Sequence, residues 1–130
     1  MSNNPYEINV DQEQCIVRLI VRGEVSKDIG KEIITKARRK AAETQCNILC
    51  DVRQAKVKTI LIDWYYLPRE LEIYQSTRAV KTAILITSGQ QEEEYQFFET
   101  VTHNLGIGIK VFHQENDAIS WLKKVDEKKN

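Results

Sequence analysis

The sequence predicts an α/β fold, built on a mixed, mostly parallel five-stranded sheet with helices on both faces. Two observations indicate this class. The chain opens with two short apolar segments separated by a polar turn, which is typical of an antiparallel hairpin. Strand-like apolar runs then alternate with amphipathic segments to the end of the chain, a pattern typical of parallel strands joined by crossover helices. The predicted order is β-β-α-β-α-β-α-β-α within 130 residues.

The opening hairpin is predicted from alternation of apolar and polar residues. Tyr6, Ile8 and Val10 alternate with polar neighbours, which indicates a short strand with one buried face. Residues 11–14 form the polar turn. Residues 15–22 then read as a longer and more central strand, whose buried face begins at Cys15.

The first helix is predicted over residues 27–43, with Ser26 as its N-cap. An apolar stripe at four-residue spacing marks its buried face: Ile29, Ile33, Ala37 and Ala41. The next strand, residues 46–52, is apolar on both sides. That pattern is expected of a strand inside a parallel sheet that is covered on both faces.

The middle of the chain is less regular. Residues 55–67 fit either a short helix or a packed loop, and Pro68 suits the first position of a new helix that continues to residue 78. Residues 81–87 are predicted to form another buried strand. Ser88 and Gly89 are then expected to open a helix with an acidic first turn.

The C-terminal part is predicted as one more strand and helix. Gly106 is suited to end the preceding helix in a left-handed conformation. Residues 107–112 form the last predicted strand, and a final helix runs from about residue 115 to 125. We expect one domain over residues 1–130, with an ordered core of about residues 6–125.

Composition argues against several classes of protein. Nineteen basic residues balance nineteen acidic ones, so no nucleic-acid partner is predicted. No apolar run approaches the ~18 residues of a transmembrane segment, and residues 1–5 do not resemble a secretory signal. Three cysteines leave one unpaired, which argues against a disulfide framework. The expected location is the cytoplasm.

Five landmarks in a fixed order carry a resemblance to a known family. They are Asp51-Val52-Arg53, Leu67-Pro68, Phe98-x-x-Val101-x-x-Asn104-x-Gly106, Val111-Phe112 and Ala118-x-x-Trp121-Leu122. Together they resemble the STAS-like domains related to the anti-sigma-factor antagonist SpoIIAA, over roughly residues 6–125.

The resemblance implies a SpoIIAA-like fold and a generally non-catalytic role. Some STAS-like domains bind regulatory partners, and others are suspected of holding small or lipidic ligands. In the signalling members, a serine or threonine after the third strand is phosphorylated. Residues 51–55 of this chain contain no hydroxyl group and the nearest is on Thr59, so we do not predict a phosphorylation switch.

A ligand site is predicted beyond the carboxyl ends of the parallel strands, where open α/β sheets bind ligands. The strand ends supply a set of five residues: Asp51, Arg53, Ser88, Gly89 and His113. Free N–H groups at the start of the helix at Ser88-Gly89 are suited to an anion. The alternative is that Asp51 and Arg53 pair with neighbours and that Ser88 caps its helix.

A partner interface is predicted at Trp64, Tyr65, Tyr66 and Leu67. Three consecutive aromatic side chains cannot all face one core, and Trp and Tyr are enriched at interface hot spots. The alternative is a packed segment that buries two of the rings and leaves a hydroxyl in water.

No metal site, cofactor or catalytic residue is predicted. Cys46 and Cys50 point to one face of a strand but lie ~13 Å apart, too far to bond each other, and are expected in the core. His103 and His113 lack a partner at a motif spacing. The basic first helix is expected to be solvated, with an anionic partner as the alternative.

Three functions therefore stay open. The first is a non-enzymatic regulatory or protein-interaction module, which binds a protein partner or itself through the Trp64 segment. The second is a carrier of a small apolar, anionic or lipidic ligand, with a pocket between residues 55–75 and the sheet. The third, least favoured, is an enzyme that uses the strand-end residues. An apolar cavity lined by Trp64, Leu67 and Leu71 favours the carrier, and a flat apolar patch favours the interface.

Overall fold

The computed structural model describes residues 5–124. Within that range, the strands are β1 (Tyr6–Asp11), β2 (Ile16–Val25), β3 (Asn47–Val57), β4 (Thr82–Leu85) and β5 (Ile109–Phe112). The helices are α1 (Lys27–Thr44), α2 (Leu61–Glu70), α3 (Glu72–Ser76), α4 (Glu92–Asn104) and α5 (Glu115–Lys123). The predicted mixed five-stranded sheet with an N-terminal antiparallel hairpin is confirmed.

The strands lie in the sheet in chain order, β1-β2-β3-β4-β5. β1 is antiparallel to β2, and every later pair is parallel. Right-handed crossovers that all step in the same direction put their helices on one face of a sheet. Accordingly, α1 to α4 pack on one face, here called the major face, and α5 packs on the opposite, minor face.

The major face carries the larger core. Val17, Leu19 and Ile48 of the strands pack there with Ile33 of α1 and Phe98 of α4. The minor-face cluster is small and consists of five buried residues: Ile16, Leu49, Ala83, Ala118 and Leu122. Four helices therefore cover the major face, whereas a single helix covers part of the minor face.

The first helix begins as predicted, since Ser26 Oγ accepts a hydrogen bond from the N–H of Ile29 at 3.3 Å. The side chain of Ile29 itself is 36% exposed rather than part of the buried stripe. Arg38, on the predicted solvated basic face, is 2% exposed. Its guanidinium donates to Thr77 and Thr82 and to main-chain carbonyls, so α1 buries a cation that the charge pattern does not indicate.

The predicted boundaries of β3 and of the following helix are wrong. β3 continues to Val57, because residues 54–57 pair with β2 after the partner strand β4 has ended at Leu85. Pro68 was expected to start a helix, but it lies inside α2 and is fully buried. The N-cap of α2 is Ile60, which makes no capping side-chain hydrogen bond, so the sequence carries no start signal there.

The helix expected to open at Ser88 and Gly89 begins later, at Glu92. Gly89 and Gln91 both have left-handed backbones, with φ of 81° and 45°, and they form a turn ahead of the helix. At the C-terminus, α5 ends at Lys123. Predictions about residues 1–4 and about the end of the last helix at Val125 lie outside the described residues.

The structure joins Cys15 and Cys46 in a disulfide, which corrects the expectation that the chain has none. Cys15 was expected to begin the buried face of a strand, yet it is exposed and left-handed, with φ of 53°. β2 and β3 align Ile16 with Asn47, so the two residues just before them are neighbours, with Cα atoms 4.9 Å apart. Cys50 keeps a free thiol.

Candidate functional site

Asp51 and Arg53, two predicted ligand residues, bind each other on the minor face. Arg53 Nε donates to Asp51 Oδ1 at 3.0 Å and Arg53 Nη2 donates to Oδ2 at 2.9 Å. The N–H of Arg53 also donates to Asp51 Oδ1 at 3.1 Å. Both carboxylate oxygens are therefore engaged within the same strand, as the alternative interpretation expected.

A second ion pair stands beside the first. Arg18 of β2 contacts Glu115 at the start of α5, with 3.2 Å between Nη2 and Oε2. Burial by itself raises the pKa of Asp51, but the hydrogen bonds and charge of Arg53, with a smaller effect of Arg18, hold that pKa below its ordinary value. The four side chains form a charge-balanced cluster, with no net charge to attract an ion.

Ser88, Gly89 and His113 lie in a different group. The N–H of Gly89 donates to Glu92 Oε2, and the other oxygen of that carboxylate is 3.2 Å from His113 Nε2. Ser88 is exposed in the turn before α4 and does not cap the helix. Glu92 already occupies the N–H of Gly89, one of the donors that the sequence offered to an anion at this turn.

A wide crevice of about 460 Å³ does lie at the carboxyl ends of the strands, and Arg53 is the predicted ligand residue that lines it. Its floor is the part of β3 that extends past β4. Gln90 Nε2 donates to the carbonyls of Val52 and Ala55 at 2.7 and 2.9 Å. Gln91 accepts from the N–H of Val57 at 3.0 Å and donates to its carbonyl at 3.1 Å. These glutamines therefore line the crevice, and their side-chain amides are engaged by main-chain groups of β3.

The most unusual surface is an apolar stripe on α2. Leu61 and Tyr65 lie one helical turn apart, as do Ile62 and Tyr66, and Ile60 directly precedes them. Their exposed fractions are 66% for Ile60, 45% for Leu61, 52% for Ile62, 37% for Tyr65 and 47% for Tyr66. We call these five residues the α2 apolar face. Contiguous exposed apolar side chains of this kind are uncommon on soluble monomers.

The predicted interface residues divide between the two sides of α2. Tyr65 and Tyr66 belong to the α2 apolar face, whereas Trp64 is 6% exposed. The indole of Trp64 meets the rings of Tyr95 and Phe98 edge-on, with centroids 5.2 and 5.5 Å apart. Leu67 also turns inward and contacts the major core.

The sequence analysis did not single out Ile60, Leu61 and Ile62 as interface residues. The signal that could have found them is a run of three aliphatic residues at the start of a helix.

Two acidic residues of α2 form ion pairs with lysines of α1. Lys27 of α1 contacts Asp63 at 3.3 Å and Glu70 at 3.9 Å, and Lys31 contacts Glu70 at 3.5 Å. These pairs hold the polar side of α2 against α1. Since Trp64 anchors the inner side, the apolar stripe is left facing outward.

An apolar cavity of about 140 Å³ lies beneath α2, between this helix, α1, α4 and the sheet. Trp64 and Leu67 form part of its wall, as the carrier hypothesis required, and the third residue expected there, Leu71, does not. Cys50 faces the cavity from β3 and Tyr95 from α4. Burial raises the pKa of the Cys50 thiol to about 12, so this group is uncharged at neutral pH.

No protein-family model and no curated protein matches the sequence. An uncharacterised DUF3478-family protein from Shewanella loihica PV-4, described as having a SpoIIAA-like fold, aligns with a TM-score of 0.60 at 16% identity. The alignment covers 94% of this chain and 98% of that one. The chain has a SpoIIAA-like fold.

A second solved structure with this SpoIIAA-like fold is the anti-sigma factor antagonist SpoIIAA in its unphosphorylated form. It aligns with a TM-score of 0.53 at 15% identity, over 92% of this chain and 99% of its own. The resemblance stated from the sequence is thus confirmed for the fold. Within residues 5–124, no helix combines the length and apolar character needed to cross a membrane.

Proposed function

We propose that this chain is a non-enzymatic regulatory module that binds a protein, either a different partner or a second copy, through the α2 apolar face. The observation that carries the proposal is that five large apolar side chains stay exposed on and directly before α2, although the opposite side of this helix buries Trp64 against Tyr95 and Phe98. Covering them is favourable, since apolar surface removed from water contributes roughly 25 cal/mol per Å².

The composition of this surface supports a protein partner. Tyrosine is enriched at the centres of protein interfaces, which are apolar and depleted of charged residues. Charged residues flank the stripe: Asp63 and Glu70 contact α1, and Arg69 lies over the ring of Tyr65 at 3.9 Å. An apolar centre with a polar rim is the usual anatomy of an interface.

The related folds agree with a regulatory role. One structural neighbour is named as an antagonist of an anti-sigma factor, so the same architecture serves in acting on another protein. The expected absence of catalysis is consistent with the polar residues at the strand ends, which bind one another in two separate groups. We also propose a cytoplasmic location, on the basis of the sequence.

The test compares two exposed positions of similar chemistry. Ile62→Asp disrupts the α2 apolar face, and Ile29→Asp places the same change on an exposed isoleucine of α1. Each protein is immobilised, and the proteins it retains from an extract of its source cells are quantified. Sedimentation velocity over a range of concentrations reports self-association of the same three proteins.

We expect wild type and Ile29→Asp to behave alike, while Ile62→Asp loses either a retained partner or the concentration-dependent dimer. Circular dichroism should show that both variants keep the helical content of the wild type. If the folded Ile62→Asp protein retains the same partners and sediments as the wild type does, the proposed interface is wrong.

A further inference from the structure

We propose that the cavity beneath α2 is a binding site for a small neutral and apolar molecule, about the size of one six-membered ring. The site differs from the α2 apolar face, because its walls are the inner residues of α1, α2, α4 and the sheet. The ligand of this cavity is therefore a different molecule from the partner proposed for the α2 apolar face.

The size of the cavity is the first argument. Protein interiors are packed as densely as organic crystals, and voids larger than a water molecule are few. This cavity measures about 140 Å³. An engineered apolar cavity of about 150 Å³ in another protein stays dry and takes up benzene. A space of this volume and lining is therefore suited to a ring-sized apolar guest rather than to water.

The lining explains the neutral character of the ligand. Leu19, Val21, Ile48 and Ile84 of the strands form an aliphatic floor. Arg38 is the cationic residue of the wall, but its guanidinium donates to Thr77, Val80 and Thr82 and stacks at 4.7 Å on Tyr74. The thiol of Cys50 stays protonated. A charged guest would lose its hydration and meet no group that is open to pair with it.

The polar atoms of the wall do not offer a guest a hydrogen bond. Tyr95 lines the cavity and is 3% exposed, and its hydroxyl is a buried side-chain group without a hydrogen-bond partner in residues 5–124. That oxygen is enclosed by the chain, and the surface that the wall presents to the cavity is almost wholly apolar. The ring of Tyr95 is held edge-on against Trp64. A guest that carries an acceptor atom therefore gains no hydrogen bond here, and an apolar guest fits the lining.

Trp64 makes the test direct, because it lies on the wall and the chain has two tryptophans. Trp121 lies on the minor face, so Trp121→Phe leaves Trp64 as the reporter of the cavity. The probes are toluene, anisole and benzoate. They share a ring and differ in carrying no polar group, one acceptor oxygen, and a negative charge.

We expect saturable changes in Trp64 emission with toluene and anisole and none with benzoate. Anisole should bind no more tightly than toluene, because its ether oxygen reaches no donor on the wall. Tyr95→Phe should leave both affinities unchanged. Binding of anisole roughly fivefold tighter than that of toluene, the ratio expected from one net hydrogen bond, would overturn the apolar assignment of the lining.

Filling the cavity gives the matching control. Cys50→Leu extends a larger side chain into the space and should abolish binding, whereas Ile62→Asp should leave it unchanged. Nuclear Overhauser contacts between toluene and the rings of Trp64 and Tyr95 in the unmodified protein test the location without any variant. Absence of saturable binding, or binding lost in Ile62→Asp and kept in a folded Cys50→Leu, overturns the proposal. Failure of the protein interface would not alter these results.

Discussion

Replacing Arg38 with methionine tests whether the buried guanidinium is a main connection between α1 and the sheet. Arg38 is 2% exposed, and four donor contacts tie it to the segment that leads into β4. It donates to Thr77 Oγ1 at 2.8 Å, to the carbonyl of Thr77 at 2.9 Å, and to the Val80 carbonyl and Thr82 Oγ1 at 3.2 Å. Methionine keeps an unbranched apolar stem but makes none of these bonds.

The change in the free energy of unfolding is the sum of two opposing contributions. Each acceptor left buried without a donor costs about 1–3 kcal/mol. Removing the cation recovers several kcal/mol of desolvation, because no carboxylate in residues 5–124 pairs with it. Burial lowers the pKa of Arg38, although the guanidinium stays charged at any ordinary pH. We expect Arg38→Met to lower the free energy of unfolding by about 3–5 kcal/mol.

Urea denaturation followed by circular dichroism measures this loss, and the adjacent residue provides the control. Arg39 has the same chemistry but is exposed, so Arg39→Met should stay within about 0.5 kcal/mol of wild type. Thr77→Val with Thr82→Val should remove part of the cost in the Arg38→Met background, because fewer acceptors are then left unpaired. A loss below 1 kcal/mol in Arg38→Met would refute the view that this network holds α1 to the sheet.

Two further predictions concern the disulfide and the acid response. Reduction of Cys15–Cys46, which are 31 residues apart, should lower the free energy of unfolding by roughly 3–4 kcal/mol. Alkylation after denaturation without reductant should modify Cys50 alone, and three adducts would show that the disulfide does not form. Asp51 has a folded pKa below its unfolded value of about 3.9, so its stabilisation is complete above pH ~4 and is lost as pH falls through the folded pKa. Asp51→Asn should remove that pH dependence at a cost of at most about 1 kcal/mol, given the exposure of Arg53, and an unchanged acid profile would contradict it.

Short-range sequence patterns predicted most of the architecture. The alternation in Tyr6, Ile8 and Val10 and the cap at Ser26 are short-range signals, and the structure follows both. The errors fall where tertiary contacts override local preference. Pro68 favours a helix start, but the packing of Trp64 against α4 places the helix start earlier. The extension of β3 depends on pairing with β2, which is distant in sequence.

The candidate site was harder to predict because burial is a property of the assembled sheet. Consecutive aromatics indicated that part of α2 is exposed, which holds for Tyr65 and Tyr66. Whether Trp64 points in or out depends on the position of Tyr95, 31 positions along the chain. Likewise, Arg38 reads as one more surface cation until Thr77 and Thr82 are brought to it. A cavity leaves no pattern in the sequence at all.

The two glutamines after β4 have a consequence for how this protein behaves at high concentration. A strand that outlasts its neighbour presents unpaired main-chain groups, which is a template for adding a strand from another molecule. Gln90 and Gln91 meet the open edge of β3 with their side-chain amides, so the carboxamides stand in for the missing part of β4. This stretch of β3 is thereby closed to strand addition from another molecule, which leaves β1 and β5 as the outer edges of the sheet.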